Sequence, residues 1–300
     1  MPANDTTHIL RGIVLALVGA TCWGFSATCA GYLMRSFGIE VTWLAFARVI
    51  ISGPAFLLFV LATDRRRLAA LLRDRKSLAE IVAFALIGVV MLQISYMSAV
   101  KYAGAGTALL LQETGLIVIM VIACLRARRR PTKTEIAALV LALVGVGLIA
   151  TQGNVGSLGI NPLGLAWGLV TGLALAGHNV IPTRLLDKYG SFIVNGAAMT
   201  LSVFLLAPIA QPWSVQVEMP LEGWAAFAAV VVIGTIFAYV VYLQGIKEAG
   251  PVRASLVAVA EPVSGMFFSA IWLGDAVTTF DLLGCAAIVA MMVLVTREGR

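Results

Sequence analysis

The chain has 300 residues, of which 60% are hydrophobic and 12% are charged, and its formal net charge is +6. Soluble domains carry about 25% charged residues, so this composition, with a mean hydropathy of +0.97, excludes an ordinary soluble enzyme or binding domain. The fold class that it predicts is an all-α integral membrane protein.

Apolar runs recur along the whole chain, and each is long enough to cross a bilayer core of about 30 Å as one helix. Helices are favoured over barrel strands because the runs are long and uniformly apolar. Little positive charge precedes the first run, which predicts a retained span and not a cleaved signal peptide. The ten predicted spans are residues 10–31, 41–62, 79–100, 105–125, 133–151, 162–182, 190–210, 223–244, 252–273 and 279–296.

Positive charge is concentrated in alternate loops. The segment "DRRRLAALLRDRK" follows the second run and "RARRRPTK" follows the fourth, whereas "TQGNVGSLGIN" and "QPWSVQVEMP" contain no Lys or Arg. By the positive-inside rule, both termini and the basic loops are predicted to be cytoplasmic, which requires an even number of spans. The charge distribution therefore explains the net charge without a nucleic-acid partner.

A sequence repeat relates the two halves of the chain. At an offset of 146 residues, identical residues recur through three helices, for example Tyr96 with Tyr242, and at an offset of 152 the starts align, for example Gly12 with Gly164. Two five-helix repeats are therefore predicted, residues 1–151 and 152–300. Because five is odd, the second repeat must enter the membrane from the opposite side. Inverted repeats of this kind are typical of secondary transporters, which open a midplane site alternately to either side.

Three segments resemble a known family: "AVKYAGAGTALLL", its partner "GIKEAGPVRASLVAVAEPV", and "ATCWGFSAT" in the first helix. They resemble the EamA-type repeat of the drug/metabolite transporter superfamily, and within it the bacterial exporters of amino acids, including aromatic ones. The resemblance implies a ten-helix inner-membrane carrier whose cavity is lined by the first, third, fourth, sixth, eighth and ninth helices. One departure is "QETGL" in the fourth helix, where its partner has "AEPVS", so that Leu116 replaces a proline that is common in the repeat.

Polar and aromatic side chains within spans are the candidates for substrate binding, because contact with lipid does not favour them. In the sixth helix Trp167, Thr171 and His178 share one face, since eleven residues make almost three turns. The alternative for His178 is a histidine that is hydrogen-bonded within the bundle. Asn179 is turned by about 100° from His178, so only one of the two is expected to face a cavity directly.

Three further helices offer similar side chains. Tyr239 lies deep in the eighth span, whereas Tyr242 and Tyr96 are nearer to helix ends, where tyrosines often anchor a span at the interface. The remaining candidates are Gln93 in the third helix and Trp23 and Ser26 in the first.

Arg48, Glu113 and Glu261 are charged residues inside spans. Such residues are costly in a membrane unless paired, protonated or hydrated, and each is therefore a functional candidate. Either glutamate could carry a proton or attract a substrate ammonium group. The alternative is that Arg48 neutralises one of them and locks the bundle.

The function predicted is export of small amphipathic metabolites, chiefly amino acids including aromatic ones, across the bacterial inner membrane by alternating access. Drugs, nucleosides or sugars are alternative substrates, and an intramembrane enzyme or a channel is a remote alternative. The sequence contains no phosphate-binding loop, nucleophile motif or metal-ligand spacing. No catalytic residue, metal or cofactor is predicted, and the expected partners are a small-molecule substrate and membrane lipid, with the protein as a monomer.

Overall fold

A computed structural model describes residues 3–103, 105–154, 156 and 161–298. Within these residues the chain forms helices and turns but no strand, and ten helices are long and apolar enough to cross a membrane. The predicted fold class and number of spans are confirmed. Gly104, residues 155 and 157–160 of the predicted outer loop, and the first two and last two residues lie outside the described residues.

The spans are numbered in chain order. They are α1 Ala3–Phe37, α2 Val41–Thr63, α3 Arg75–Ala103, α4 Thr107–Arg126, α5 Lys133–Thr151, α6 Pro162–Tyr189, α7 Ser191–Ala210, α8 Leu221–Ala249, α9 Pro251–Trp272 and α10 Thr279–Glu298. A short helix, Arg65–Arg73, joins α2 to α3 and buries Leu68 and Leu71 while its arginines are exposed. Several spans are longer than their apolar runs predict, because a helix continues beyond the hydrocarbon layer where its backbone remains hydrogen-bonded.

Local sequence explains where several helices begin and end. Gly38 ends α1 with φ +65°, and Gly190 separates α6 from α7 with φ +83°, a conformation that other residues adopt only with strain. At the start of α5, Thr132 accepts a hydrogen bond from the amide of Glu135, whose carboxylate accepts one from the amide of Thr132. This reciprocal cap satisfies two backbone donors that the first turn leaves free.

The two halves of the chain pack largely against each other. Helix α1 lies along α8 and α9, α6 lies along α3 and α4, α2 packs on α7, and α5 packs on α10. Small residues allow the close approach: a Cβ on Gly12 would lie 2.6 Å from the amide nitrogen of Ala249, and one on Gly164 would lie 3.0 Å from that of Ala103. The two contacts are equivalent in the sequence repeat, since Gly164 follows Gly12 by 152 residues and Ala249 follows Ala103 by 146.

Four spans depart from regular α-helix, although each was predicted as a continuous helix. The i to i+5 bonding pattern of a π-helix occurs at Phe84–Met91 in α3 and at Val232–Phe237 in α8. Helix α4 is interrupted at Glu113, and α9 is interrupted at Val259, which is 146 residues further along the chain. Wide turns and interruptions release backbone groups from helical bonding, which is tolerated in a membrane where protein buries them.

Candidate functional site

A cavity of about 300 Å³ lies at the centre of the bundle, among the irregular parts of α3, α4, α8 and α9. Helices α1, α2 and α6 complete its wall. All six helices that the family resemblance implied therefore line the cavity, and α2 adds Arg48. The predicted site residues that line it are Trp23, Ser26, Gln93, Tyr96, His178, Asn179, Tyr239, Tyr242, Arg48, Glu113 and Glu261.

Two predicted residues of α6 are not among the residues that line the cavity. Thr171 is fully buried, and its hydroxyl donates to the carbonyl oxygen of Trp167, one turn earlier in the same helix. His178 and Asn179 both line the cavity, whereas only one of them was expected to face it. His178 bonds to α3 and Asn179 bonds to α8, so two neighbouring helices contact α6 at this level.

Several residues that line the cavity were missed from the sequence. Leu175, Ala27 and Ser255 have short or apolar side chains that gave no functional signal. The repeat offsets could have found them: Leu175 is 152 residues after Trp23, and Ala27 is 152 residues before Asn179. The pairs of lining residues related by 152 or 146 positions are Trp23 and Leu175, Ser26 and His178, Ala27 and Asn179, Gln93 and Tyr239, Tyr96 and Tyr242, Leu109 and Ser255, Gln112 and Ala258, and Glu113 and Val259.

Aromatic rings form one side of the cavity. The ring centroid of Trp23 lies 4.6 Å from that of Tyr242 and 5.2 Å from that of Tyr239. The imidazole of His178 lies 5.8 Å from the ring of Tyr239 and 5.5 Å from that of Phe84. These distances fall within the range of favourable ring contacts, so the cluster is a preformed apolar surface for a flat or aliphatic group.

The backbone of α3 holds His178 in one orientation. Its Nδ1 donates a hydrogen bond of 2.8 Å to the carbonyl oxygen of Gly88, inside the π-helical turn. A carbonyl oxygen can only accept, so Nδ1 carries a proton. Nε2 is buried and has no partner within the described residues. In the neutral ring this second nitrogen is therefore an unused hydrogen-bond acceptor.

Asn179 is held by two other hydrogen bonds. Its side-chain nitrogen donates to the carbonyl oxygen of Leu175 at 2.9 Å, and its Oδ1 accepts from the hydroxyl of Tyr242 at 2.5 Å. Asn179 and Tyr242 are both at most 1% exposed, so this bond is shielded from solvent. The contact ties α6 to α8 beside the cavity and fixes the orientation of both side chains.

The cavity wall also includes two carboxylates and one guanidinium. Glu113 is buried, and Glu261 and Arg48 are partly buried. Arg48 forms no ion pair with either glutamate among the described residues, and its buried Nε has no hydrogen-bond partner there. Arg48, Glu113 and Glu261 therefore line one cavity, and neutralisation of a glutamate by Arg48 stays the alternative to a functional role.

The fold and this cavity define a class of protein. It is a multi-pass helical membrane protein with a polar and aromatic cavity between helices that are interrupted at the level of the cavity, an arrangement suited to binding a small molecule within the membrane. A family model described as "EamA-like transporter family" matches residues 10–151 and 162–297. The chain belongs to this family of membrane transporters.

Individual relatives agree with this assignment. The chain is 28% identical over 290 residues to "Uncharacterized inner membrane transporter YicL" of Salmonella typhimurium, covering 97% of this chain and 96% of the relative. It is 24% identical over 292 residues to an "Uncharacterized transporter" of Archaeoglobus fulgidus, covering 96% and 99%. A solved crystal structure with 18% sequence identity superimposes with a TM-score of 0.74 over 100% of this chain and 99% of that one, which shows the shared fold.

Proposed function

We propose that this transporter is a secondary carrier that exports small amphipathic metabolites, chiefly amino acids including aromatic ones, across the bacterial inner membrane. The observation that carries the proposal is the composition of the central cavity. It places the aromatic rings of Trp23 and Tyr239 in the same enclosure as Glu113 and Arg48. An amino acid presents an ammonium group, a carboxylate and a side chain, and the cavity offers a complementary group for each of them.

Alternating access is the proposed mechanism, with the halves 1–151 and 152–300 as inverted repeats and both termini in the cytoplasm. Support comes from the lining residues that recur at offsets of 152 and 146, and from the interruptions at Glu113 and Val259. If the halves are interchangeable in their packing, rocking one against the other would open the cavity to the opposite side. The basic loops that follow α2 and α4 favour the cytoplasmic assignment.

Transport by purified protein in proteoliposomes tests this function. The measurement is uptake of labelled phenylalanine, leucine, glutamate and lysine, with and without unlabelled amino acid inside the vesicles. A carrier gives saturable uptake that internal substrate accelerates, whereas a channel gives conduction without this acceleration. Lack of uptake of all four by folded protein would refute the amino acid proposal and direct the search to nucleosides, sugars and drugs.

A further inference from the structure

The cavity has an excess of negative groups. Two carboxylates, Glu113 and Glu261, face it together with one guanidinium, that of Arg48. His178 adds no charge when it is neutral, and a second proton on its buried Nε2 would have no acceptor within the described residues. With the carboxylates ionised, the enclosure carries a net charge of about −1, which a cation of the substrate can balance.

The two carboxylates have different surroundings. Neither carboxylate forms an ion pair among the described residues, and Glu113 is buried whereas Glu261 is only partly buried. Glu113 is 6% exposed, so bulk water does little to offset its charge. Of the two glutamates, Glu113 is therefore the one that most needs a positive partner.

The interruptions of α4 and α9 place each carboxylate at the start of a helical segment. Glu113 directly precedes the segment Thr114–Arg126, and Glu261 lies in the first turn of Ala260–Trp272. The side chain of Glu113 forms no capping hydrogen bond with Thr114–Arg126, so the backbone does not neutralise its charge.

The other walls of the enclosure also suit an ammonium group. The faces of Trp23, Tyr239 and Tyr242 carry the negative part of the ring quadrupole, which attracts cations. His178 presents an acceptor, Nε2, that has no partner in the described part of the chain. An ammonium group has three N–H donors, so it can donate to more than one acceptor of the cavity wall.

We infer that the group recognised in this cavity is a protonated amine, with Glu113 as its principal anchor and His178 Nε2 as a second acceptor. The inference rests on the proposed carrier function and narrows its substrate class: an organic amine suffices, and the carboxylate of an amino acid is dispensable. Because two carboxylates and one guanidinium line the cavity, a substrate ammonium group has more partners there than a substrate carboxylate has.

Binding to the purified protein in detergent, measured by calorimetry, tests this inference separately from transport. The probes are phenethylamine, L-phenylalanine and 3-phenylpropionate, which share one ring and differ in their charged groups. Phenethylamine is expected to bind at least as tightly as phenylalanine, and 3-phenylpropionate about tenfold more weakly or not at all.

Substitutions test which residue binds the amine. Glu113→Gln keeps the side-chain shape and removes the charge, and should weaken binding of both amines by about tenfold, while Glu113→Asp keeps part of the affinity. Glu222→Gln makes the same chemical change at an exposed position at the start of α8 and should bind as the unmodified protein does.

His178→Phe keeps an aromatic ring and should reduce the preference for phenethylamine over its N,N,N-trimethyl derivative, which has no N–H to donate. Size-exclusion profiles establish that each variant is folded.

The outcomes separate this inference from the proposed function. Equal binding of 3-phenylpropionate and phenethylamine, or no binding of any probe, overturns amine recognition whether or not proteoliposomes transport amino acids. Unchanged amine affinity in folded Glu113→Gln overturns the role of Glu113 as the anchor. Tight binding of phenethylamine without saturable uptake of amino acids supports amine recognition and refutes amino acid export.

Discussion

At the scale of single residues, the buried pair of Tyr242 and Asn179 shows how side chains of the cavity wall are held in place. The tyrosine hydroxyl donates to Asn179 Oδ1, and the ring of the same tyrosine contacts Trp23. One side chain therefore supports both the polar and the aromatic parts of the cavity. An amphipathic residue is suited to this position because its ring packs while its hydroxyl bonds.

Tyr242→Phe tests that arrangement. The change leaves a buried acceptor on Asn179 without its donor, so the free energy of unfolding should fall by about 1–3 kcal/mol, and transport should slow because Asn179 is then held only by its bond to Leu175. Thermal denaturation followed by size exclusion measures the first effect, and proteoliposome uptake measures the second. Tyr102→Phe, at an exposed residue of α3, is the control; an equal loss in both variants would show that the bond has no special role.

At the scale of helices, close contacts between small residues position the elements around the cavity. At Gly24, α1 approaches α9 so closely that a Cβ would lie 2.5 Å from the amide nitrogen of Gly265 and 2.6 Å from the carbonyl oxygen of Glu261. Gly88 similarly lets the π-helical turn of α3 approach His178, where a Cβ would lie 2.9 Å from its Cα. The position of Glu261 in the cavity thus depends on the absence of a side chain on another helix.

Gly24→Ala should therefore push α1 and α9 apart. The hydroxyl of Ser264 is also close, but the other two opposing atoms belong to the backbone and cannot rotate away, so the expected cost is about 1–3 kcal/mol of stability, with reduced transport. Gly31→Ala, later in the same helix, places its methyl group in open space and should be neutral or slightly stabilising. Melting temperatures of the two variants give the comparison, and equal temperatures would contradict the close approach of α1 to α9.

At the scale of the whole molecule, ion pairs join the two halves at the end of the bundle that is predicted to be cytoplasmic. Among the described residues, Lys188 contacts Asp74 at 2.5 Å, Arg184 contacts Glu80 at 2.5 Å, and Arg11 contacts Glu248 at 3.6 Å. Lys188 and the hydroxyl of Ser77 hold the pKa of Asp74 well below its usual range, so that pair remains ionised at neutral pH.

If these pairs hold this end closed, reversing one charge should change transport more than stability. Glu80→Arg places two cations together and should slow transport, while the free energy of unfolding changes by about 1 kcal/mol or less because the pair is partly exposed. The double variant Glu80→Arg with Arg184→Glu should recover most of the lost rate. Uptake rates of the single and double variants provide the measurement, and a double variant no faster than the single one would argue against the pair as a closing contact.

Sequence alone was sufficient for the ten spans and for most of the candidate residues. Apolar length reports membrane crossing directly, and a polar residue such as Glu113 is conspicuous inside an apolar run. Sequence was not sufficient for the helix irregularities: nothing in "FALIGVVM" distinguishes a π-helical turn from a regular one. Sequence also did not reveal that Trp167 lies outside the cavity while His178, on the same predicted face, lines it. Regular helical geometry does not say which neighbouring helices approach that face.

Composition and apolar length by themselves determined that this protein is an all-helical membrane protein with ten spans, since the hydrocarbon layer requires long apolar helices with all backbone groups bonded internally. Only the tertiary structure decided which residues meet. Trp23, His178 and Tyr242 come from three helices far apart in the chain, and they contact one another because glycine contacts and π-helical turns set how closely and in what rotation those helices pack. The rotation of each helix and its distance from its neighbours depend on contacts between helices. The sequence of a single span does not specify those contacts.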